Sequence, residues 1–233
     1  MDIKRMLDYC AGLEKHNDRG WFHENHKWYE EARADFIALL DQVRFAVIEN
    51  APELANGLMY MQAKDWVYRI ARDMRFYKDK PPYIPAFRAY IAADRKSWLP
   101  IGYFLRIAPG SSCFGTGLWC EDTQRTNRVR DYISENFEEF RAALDHSGLE
   151  ISGNRLKTMP RGYSTDDPAA EWLKFRDWSV ICDLDDSQIT DADGFCAMVG
   201  ELTSRMEPVR RFFLDAATSI QTQKQIFEDF YNG

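Results

Sequence analysis

Residues 103–119 have the sequence YFLRIAPGSSCFGTGLW, and this stretch decides the fold class of the chain. Its odd-numbered positions from 103 to 107 are apolar, and this two-residue period is typical of a half-buried β-strand. Pro109-Gly110 suits the central positions of a type II turn, because glycine accepts the positive φ that the turn requires. A further strand with alternate glycines then runs to Trp119. The stretch therefore predicts an antiparallel hairpin.

Other strands and helices flank this hairpin. The alternation at 87–91 predicts a strand that completes an antiparallel meander, and a last strand is expected from Trp178 to Leu184. Apolar residues three and four positions apart predict amphipathic helices over residues 3–14, 29–49, 122–146 and 195–213. Weaker patterns predict a strand around 66–68, short strands at 149–151 and 156–158, and a short helix that Asp167 caps and Pro168 opens.

The order of these elements indicates the fold class. No internal repeat and no linker divides the chain, so we predict a single α+β domain over residues 1–233. We expect a mostly antiparallel central sheet, with helices from both chain ends packed on it.

The composition excludes several classes of protein. Of 233 residues, 45% are hydrophobic, and 37 acidic against 30 basic residues give a net charge of −7. The net charge argues against a surface built for nucleic acid, which is disfavoured but not excluded as a partner. No apolar run approaches the ~20 residues of a membrane span, and no signal peptide pattern opens the chain. Five cysteines without a C-x-x-C pair favour free thiols, so we expect a cytoplasmic protein without a membrane partner.

Positive charge is concentrated in one segment. Ten basic and four acidic residues lie between Lys64 and Arg106, which leaves a local surplus of six positive charges. Arginine offers a planar fork and lysine a compact charge, and both suit phosphate or carboxylate groups. Two interpretations stay open: an anion-binding site, or a solvated loop with internal salt bridges worth about 1 kcal/mol or less each.

Part of this segment resembles a family signature. Residues 72–83, RDMRFYKDKPPY, are similar to the pattern R-D-x-R-F-x-K-D-K-x-P-Y of a microbial family catalogued as domain of unknown function 2461. Residues 17–22, 102–119 and 160–163 resemble other elements of that family. The resemblance implies an α+β fold and a cytoplasmic protein, and it supplies no activity. The chain departs from the family pattern at Tyr77, Ile84, Arg106 and Cys120.

Other chemistry-bearing patterns are weak. His23 and His26 lie near Glu24 and Glu30, but their H-E-x-H spacing is not the H-E-x-x-H of zinc enzymes. The sequence contains no G-x-S-x-G elbow, Walker loop or dinucleotide fingerprint. Acidic residues at 183–186 favour a helix cap over a cation site. No metal site is predicted, and the sequence does not identify a cofactor.

Two functional hypotheses of different classes follow. In the first, the protein binds or acts on a small phosphate- or carboxylate-bearing ligand through the basic segment 69–88. Four cations would hold the anion: Arg72, Arg75, Lys78 and Lys80. Two rings would stack on its organic part, Tyr83 and Trp119. A carboxylate, that of Asp73 or that of Asp79, would orient the cations or act as a base. In the second hypothesis, a non-catalytic interaction protein uses its basic loop to contact an acidic macromolecular partner.

Overall fold

The computed structural model describes residues 1–93, 101–120, 122–189 and 191–232, with residues 220–232 described by their backbone only. Its strands are β1 (Phe87–Ile91), β2 (Tyr103–Ile107), β3 (Ser112–Trp119) and β4 (Asp177–Leu184). Its helices are α1 (Ile3–Lys15), α2 (Arg19–Glu24), α3 (His26–Asn50), α4 (Ala55–Tyr60), α5 (Ala63–Trp66), α6 (Thr123–Glu135), α7 (Phe137–Ser147), α8 (Ala170–Leu173) and α9 (Ala192–Asn232). A 3-10 turn lies at Pro52–Leu54.

Short polar residues and glycine set the ends of several helices. The carboxylate of Asp2 accepts a hydrogen bond from the backbone N–H of Arg5 at 2.9 Å, and α1 begins there. Asp18 accepts from the N–H of Trp21 at 3.0 Å at the start of α2. Each cap satisfies an N–H that has no partner within its helix. Gly148 ends α7 with a φ of 63°, a left-handed conformation that glycine adopts without strain.

The strands form one sheet in the order β1-β2-β3-β4. Strands β1 and β2 are antiparallel, and the register places Phe87 opposite Ile107 and Arg88 opposite Arg106. Successive side chains point to opposite faces of a strand, so the two arginines share the face opposite that of Phe87 and Ile107. The Phe87 face is buried along both strands, with exposures of 3% or less at Phe87, Ala89, Ile91, Tyr103, Leu105 and Ile107.

The chain forms two compact units. The first comprises Met1–Ala93, Tyr103–Phe114 and Cys182–Ser204, and the described parts of the remaining chain form the second. In the first unit α1 packs on α3. The stripe predicted for α3 begins at Tyr29, which is partly buried, and its other members have 0% exposure: Ala32, Phe36, Leu39, Leu40, Val43 and Val47. Burying a large aliphatic or aromatic side chain contributes roughly 1.5–3 kcal/mol, so this stripe holds α3 in place.

Aromatic rings build the core of the second unit. Phe140 of α7 lies 5.3 Å from the ring of Phe212 and 6.0 Å from that of Trp172. Phe213 completes the cluster at 6.2 Å from Phe140. Such offset and edge-to-face arrangements are the favoured geometries of aromatic pairs.

The predicted fold class is confirmed, because the described residues form helices and a four-stranded antiparallel sheet whose strands match the predicted positions. The Pro109-Gly110 turn is also confirmed: Ser111 N donates to the Ala108 carbonyl at 3.0 Å, and φ of Gly110 is 60°. The five cysteines are free. Single-domain organisation stays a prediction.

Three short strands that the sequence predicts, at 66–68, 149–151 and 156–158, are absent from the described residues. Trp66 ends the one-turn helix α5, which seats its buried ring so that Nε1 donates to the Ala92 carbonyl at 3.2 Å. Only Val67 pairs in a strand-like manner there, in a single bridge to Ala89. The short strands predicted at 149–151 and 156–158 are likewise replaced by single bridges at Ser152 and Arg155.

Two helix boundaries also differ from the prediction. The helix predicted over 122–146 is divided into α6 and α7 at Asn136, whose side-chain amide donates to the Tyr132 carbonyl at 2.9 Å. This bond satisfies a carbonyl at the end of α6. The short helix α8 begins at Ala170 rather than at Pro168, and Asp167 accepts a hydrogen bond from the N–H of Ala169 at 2.7 Å.

Candidate functional site

The basic segment folds back on itself as a loop of the first unit. Backbone N–H groups join its two arms: Arg72 donates to the Pro82 carbonyl at 2.8 Å, and Ile84 donates to the Ile70 carbonyl at 2.9 Å. Prolines at 81 and 82 have no N–H to donate, so the chain between the arms is irregular. Tyr68 N donates to the Arg88 carbonyl at 2.8 Å, and this bond attaches the loop to β1.

One amide side chain fastens the end of the loop. Asn17 Nδ2 donates to the Tyr83 carbonyl at 3.1 Å, and Asn17 Oδ1 accepts from the Tyr83 N–H at 3.0 Å. Arg72 Nε donates to the same carbonyl at 3.3 Å. The ring of Tyr83 stacks on Phe22 at a centroid distance of 4.2 Å. Asn17 and Phe22 therefore position Tyr83, and Tyr83 in turn positions Arg72.

Asp73 and Arg75 form a close ion pair within the loop. Arg75 donates to the Asp73 carboxylate from Nε at 2.9 Å and from Nη2 at 2.6 Å. The backbone N–H of Arg75 also donates to it at 3.1 Å, and Arg69 Nη2 lies 3.6 Å away. These hydrogen bonds from Arg75 lower the pKa of Asp73, which holds the carboxylate ionised.

The tip of the loop faces solvent. Lys78, Asp79 and Lys80 are exposed, and Phe76 is 77% exposed. The Lys80 Nζ lies 5.2 Å from the centroid of the Tyr77 ring, within the range of a cation–π contact. The tip thus presents two lysines and two aromatic rings outward.

Two arginines on neighbouring strands have unsatisfied donors. Arg88 of β1 lies directly opposite Arg106 of β2. The Nε–H of each is buried and has no hydrogen-bond partner among the residues that the structure describes. Within the same residues, neither guanidinium forms an ion pair with a carboxylate. Like charges opposite each other on adjacent strands are destabilising, and no described carboxylate offsets the repulsion between these two arginines.

A third arginine acts on the same position. Burial lowers the pKa of Arg88, and the charges of Arg106 and Arg72 lower it further. Arg88 Nη2 donates to the Arg69 carbonyl at 3.2 Å, and its guanidinium lies 5.5 Å from the ring of Tyr68. Arg72, Arg88 and Arg106 together form the arginine cluster, a partly dehydrated concentration of positive charge.

A buried thiol lies close to the cluster. Cys113 of β3 is 8% exposed. Burial raises the pKa of Cys113, the nearby charge of Arg106 opposes that rise, and Asp183 adds to it. The net direction is upward, so Cys113 stays a neutral thiol at neutral pH and is a poor nucleophile.

Most of the chain matches a known protein family. A family model described as a conserved hypothetical protein (DUF2461) matches residues 5–212. The chain belongs to this family. Searches of the curated proteins and of the solved structures found no match. The family predicted from the sequence is thereby confirmed, and its description assigns no activity.

The structure distributes the predicted site residues of this DUF2461 member unevenly. The loop carries Arg72, Asp73, Arg75, Lys78, Asp79, Lys80 and Tyr83, all in the first unit. Trp119 belongs to the second unit and is 43% exposed. Two further cations between Lys64 and Arg106, which are Arg95 and Lys96, lie outside the described residues.

The pairing of Arg88 with Arg106 was missed from the sequence. Both residues occupy the same alternation phase of strands that were themselves predicted, since each follows a buried aromatic or aliphatic position. That shared phase was the available signal. The register that places them opposite each other was not available, because it is set by the connection between the strands.

A separate cavity lies within the second unit. Its volume is about 450 Å³, and its lining includes Arg141, Arg155 and Trp172. Both arginines already have carboxylate partners in that lining, Arg141 with Asp145 at 3.2 Å and Arg155 with Glu171. The cavity therefore differs from the arginine cluster, where the described residues supply no such partner.

The acidic segment at 183–186 does not cap the following helix as predicted. Asp191 instead accepts from the Gly194 N–H at 2.8 Å at the start of α9, while Asp186 accepts from the Gly110 N–H at 2.9 Å. No group of three or more potential metal ligands occurs in the described ranges. Across those ranges, every helix is too short or too polar to cross a lipid bilayer.

Proposed function

We propose that the first unit binds a small anionic ligand through the basic segment 69–88 together with Arg106. One observation carries the proposal: Arg88 and Arg106 face each other with buried Nε–H groups that no described residue accepts. A buried donor without an acceptor costs about 1–3 kcal/mol, and more when the group is charged. An anionic oxygen between the two guanidiniums would remove that cost and screen their mutual repulsion.

The loop residues take different parts in this proposal. Arg72 adds a third guanidinium to the cluster, while the exposed Lys78 and Lys80 would attract the anion at longer range. Asp73 suits the orientation of Arg75 better than the role of a base, because three hydrogen bonds and a lowered pKa keep its carboxylate ionised. The proposal uses residues of the first unit alone.

Thermal unfolding in the presence of anions tests the proposal. The protein would be heated in chloride buffer and in buffers with phosphate, sulfate, acetate or citrate at equal ionic strength. A ligand at about 100 times its Kd stabilises the folded state by about 2.7 kcal/mol, and each kcal/mol raises Tm by roughly 2–4 °C at this chain length. We expect at least one anion to raise Tm specifically.

Charge-matched variants locate the effect. Arg106→Gln should abolish the rise in Tm, whereas Arg141→Gln removes the same charge from an ion-paired arginine of the second unit and should leave the rise unchanged. Equal responses of the two variants would show that the anion acts through overall charge, and the proposal would be rejected.

One observation favours the alternative function, contact with an acidic macromolecule. Phe76 is 77% exposed at the tip of the loop, beside an Arg75 side chain that is 82% exposed. An exposed ring among cations is typical of an interaction surface. In that case Phe76→Ser would weaken a salt-sensitive association in cell extract and would leave every anion-induced change in Tm intact.

A further inference from the structure

The arginine cluster constrains the shape of the group it can bind. Each guanidinium offers its N–H groups as a planar fork, and one carboxylate with two oxygens fills one such fork. Arg88 and Arg106 come from opposite positions of adjacent strands, so the two side chains leave the same face of the sheet from neighbouring backbone positions. A tetrahedral phosphoryl group has three terminal oxygens, and it can accept from both forks at once.

The cluster also constrains the charge of that group. The charges of Arg72 and Arg106 both act on Arg88. Within the described residues, Arg88 and Arg106 have no carboxylate partner. A carboxylate brings one negative charge, which leaves a surplus of positive charge at a partly dehydrated place. A phosphate monoester brings about −1.5 to −2 at neutral pH, because its second pKa is near 6.

We infer that the ligand of the arginine cluster is a phosphate monoester bound as its dianion, with the phosphoryl oxygens between Arg88 and Arg106. This inference rests on the proposed function and deepens it, since the proposed function requires only a small anion. Arg72, which Tyr83 holds by its carbonyl, supplies the third positive charge.

Three small probes separate charge from shape, and the two tetrahedral ones are nearly equal in size. Methyl phosphate is a tetrahedral dianion at about pH 8, methyl sulfate is a tetrahedral monoanion, and acetate is a planar monoanion. Each would be titrated into the protein at constant ionic strength, and Kd would be obtained from the rise in Tm or from calorimetry. We expect a Kd for methyl phosphate that is lower than both others by about tenfold or more.

Variants of the cluster connect the preference to its residues. Arg88→Gln and Arg106→Gln should each raise the Kd for methyl phosphate by about tenfold or more, which brings it close to the Kd for methyl sulfate. If Arg106→Gln fails to fold, Arg106→Lys takes its place, because it keeps the charge and loses only the fork. Its Kd for methyl phosphate should lie between that of the unmodified protein and that for methyl sulfate. Arg141→Gln, the control in the second unit, should bind all three probes as the unmodified protein does.

The outcomes distinguish this inference from the proposed function. Acetate or methyl sulfate binding as tightly as methyl phosphate would overturn the phosphate dianion and leave anion binding standing. Binding of none of the three probes, with the protein folded, would overturn both. A methyl phosphate preference that survives in both glutamine variants would overturn the placement of the phosphoryl group between the arginines.

Discussion

Arg130 of the second unit and Arg106 of the first both bury their Nε–H groups, but among the described residues only that of Arg130 has an acceptor. Arg130 is 3% exposed, and its Nε donates to the Leu173 carbonyl at 2.7 Å. Its Nη2 donates to the Phe175 carbonyl at 2.8 Å, and its Nη1 to the side-chain oxygen of Asn127 at 2.8 Å. The buried Nε–H of Arg106 has no partner in the described part of the chain.

The difference separates two uses of the same residue type. Arg130 joins α6 to the last residue of α8 and to the chain that follows it, and all its hydrogen-bond acceptors there are neutral. Burial is accordingly the main cause that lowers the pKa of Arg130. No hydrogen bond or ion pair of the Arg106 guanidinium is found in the described part of the chain, and its charge acts on Arg88 and on the Cys113 thiol. A buried arginine whose donors are all used is structural, and one whose donors are open is a candidate for ligand binding.

The largest expected effect is the loss of the structural arginine. Arg130→Met keeps most of the side-chain volume but leaves the carbonyls of Leu173 and Phe175 without their donor. Hydrogen bonds to a charged group contribute about 1.5–3 kcal/mol each, so we expect the free energy of unfolding to fall by about 3 kcal/mol or more. Urea unfolding would measure it.

The control is Arg141→Met, which removes an arginine whose exposed pair with Asp145 is worth about 1 kcal/mol or less. If the free energy of unfolding of Arg130→Met falls by less than about 1 kcal/mol, water replaces the side chain at both carbonyls. Arg130 would then have no structural role.

A smaller effect is expected at the support of the arginine cluster. Asn17→Ala removes both hydrogen bonds between the Asn17 amide and the Tyr83 backbone. One bond to Tyr83, from Arg72, stays in place. We expect amide hydrogen exchange across residues 70–84 to accelerate by about fivefold to tenfold, which corresponds to about 1 kcal/mol of local stability.

Exchange in α6 and α7 should not change in Asn17→Ala, because those helices belong to the other unit. Asn136→Ala gives the reverse pattern, with faster exchange at the end of α6 and an unchanged loop. Faster exchange throughout the chain in Asn17→Ala would show that Asn17 supports global stability and is not a local fastening of the loop.

The helices and strands near this site were predictable, because their patterns follow from burial. The α3 stripe repeats every three or four residues, and all its members except the partly buried Tyr29 are fully buried. The turn at Pro109-Gly110 was equally predictable, since few other residues accept a φ of 60° at its second central position. These elements depend on local chemistry that the sequence states directly.

The arginine pair was not predictable in the same way. Alternation shows that Arg88 and Arg106 each point away from the buried face, but a one-residue change of register would separate them. The strand predictions at 149–151 and 156–158, where the structure has single bridges at Ser152 and Arg155, failed for a related reason. Gly153 approaches the Asp177 carbonyl so closely that a Cβ there would lie 2.2 Å away, and a crossing of this kind has no periodic pattern.

A slight effect on the free energy of unfolding is expected when Arg106 is replaced and no binding anion is added. In chloride buffer Arg106→Met removes a charge that faces Arg88 and a donor without a partner. The free energy of unfolding should therefore stay equal or rise by up to about 1 kcal/mol. Urea unfolding beside Arg130→Met gives the direct contrast. A fall in the free energy of unfolding by more than about 1 kcal/mol would mean that Arg106 has acceptors. Arg106 would then be a structural arginine like Arg130.

The smallest effect concerns an arginine of the first unit that does have a carboxylate. Arg75 lowers the pKa of Asp73, so this pair stabilises the loop above the ordinary carboxyl pKa and ceases to do so as pH falls through the lowered value. Arg75→Gln should return the pKa of Asp73 toward its ordinary value, as measured by NMR titration of the carboxyl carbon. Because the pair is exposed, concentrated salt should reduce the shift in the unmodified protein. An Asp73 pKa that is insensitive to Arg75→Gln would show that the loop backbone sets it. Arg75 would then be as free to meet an anion as Arg106, and the contrast between paired and unpaired arginines would no longer hold within the basic segment.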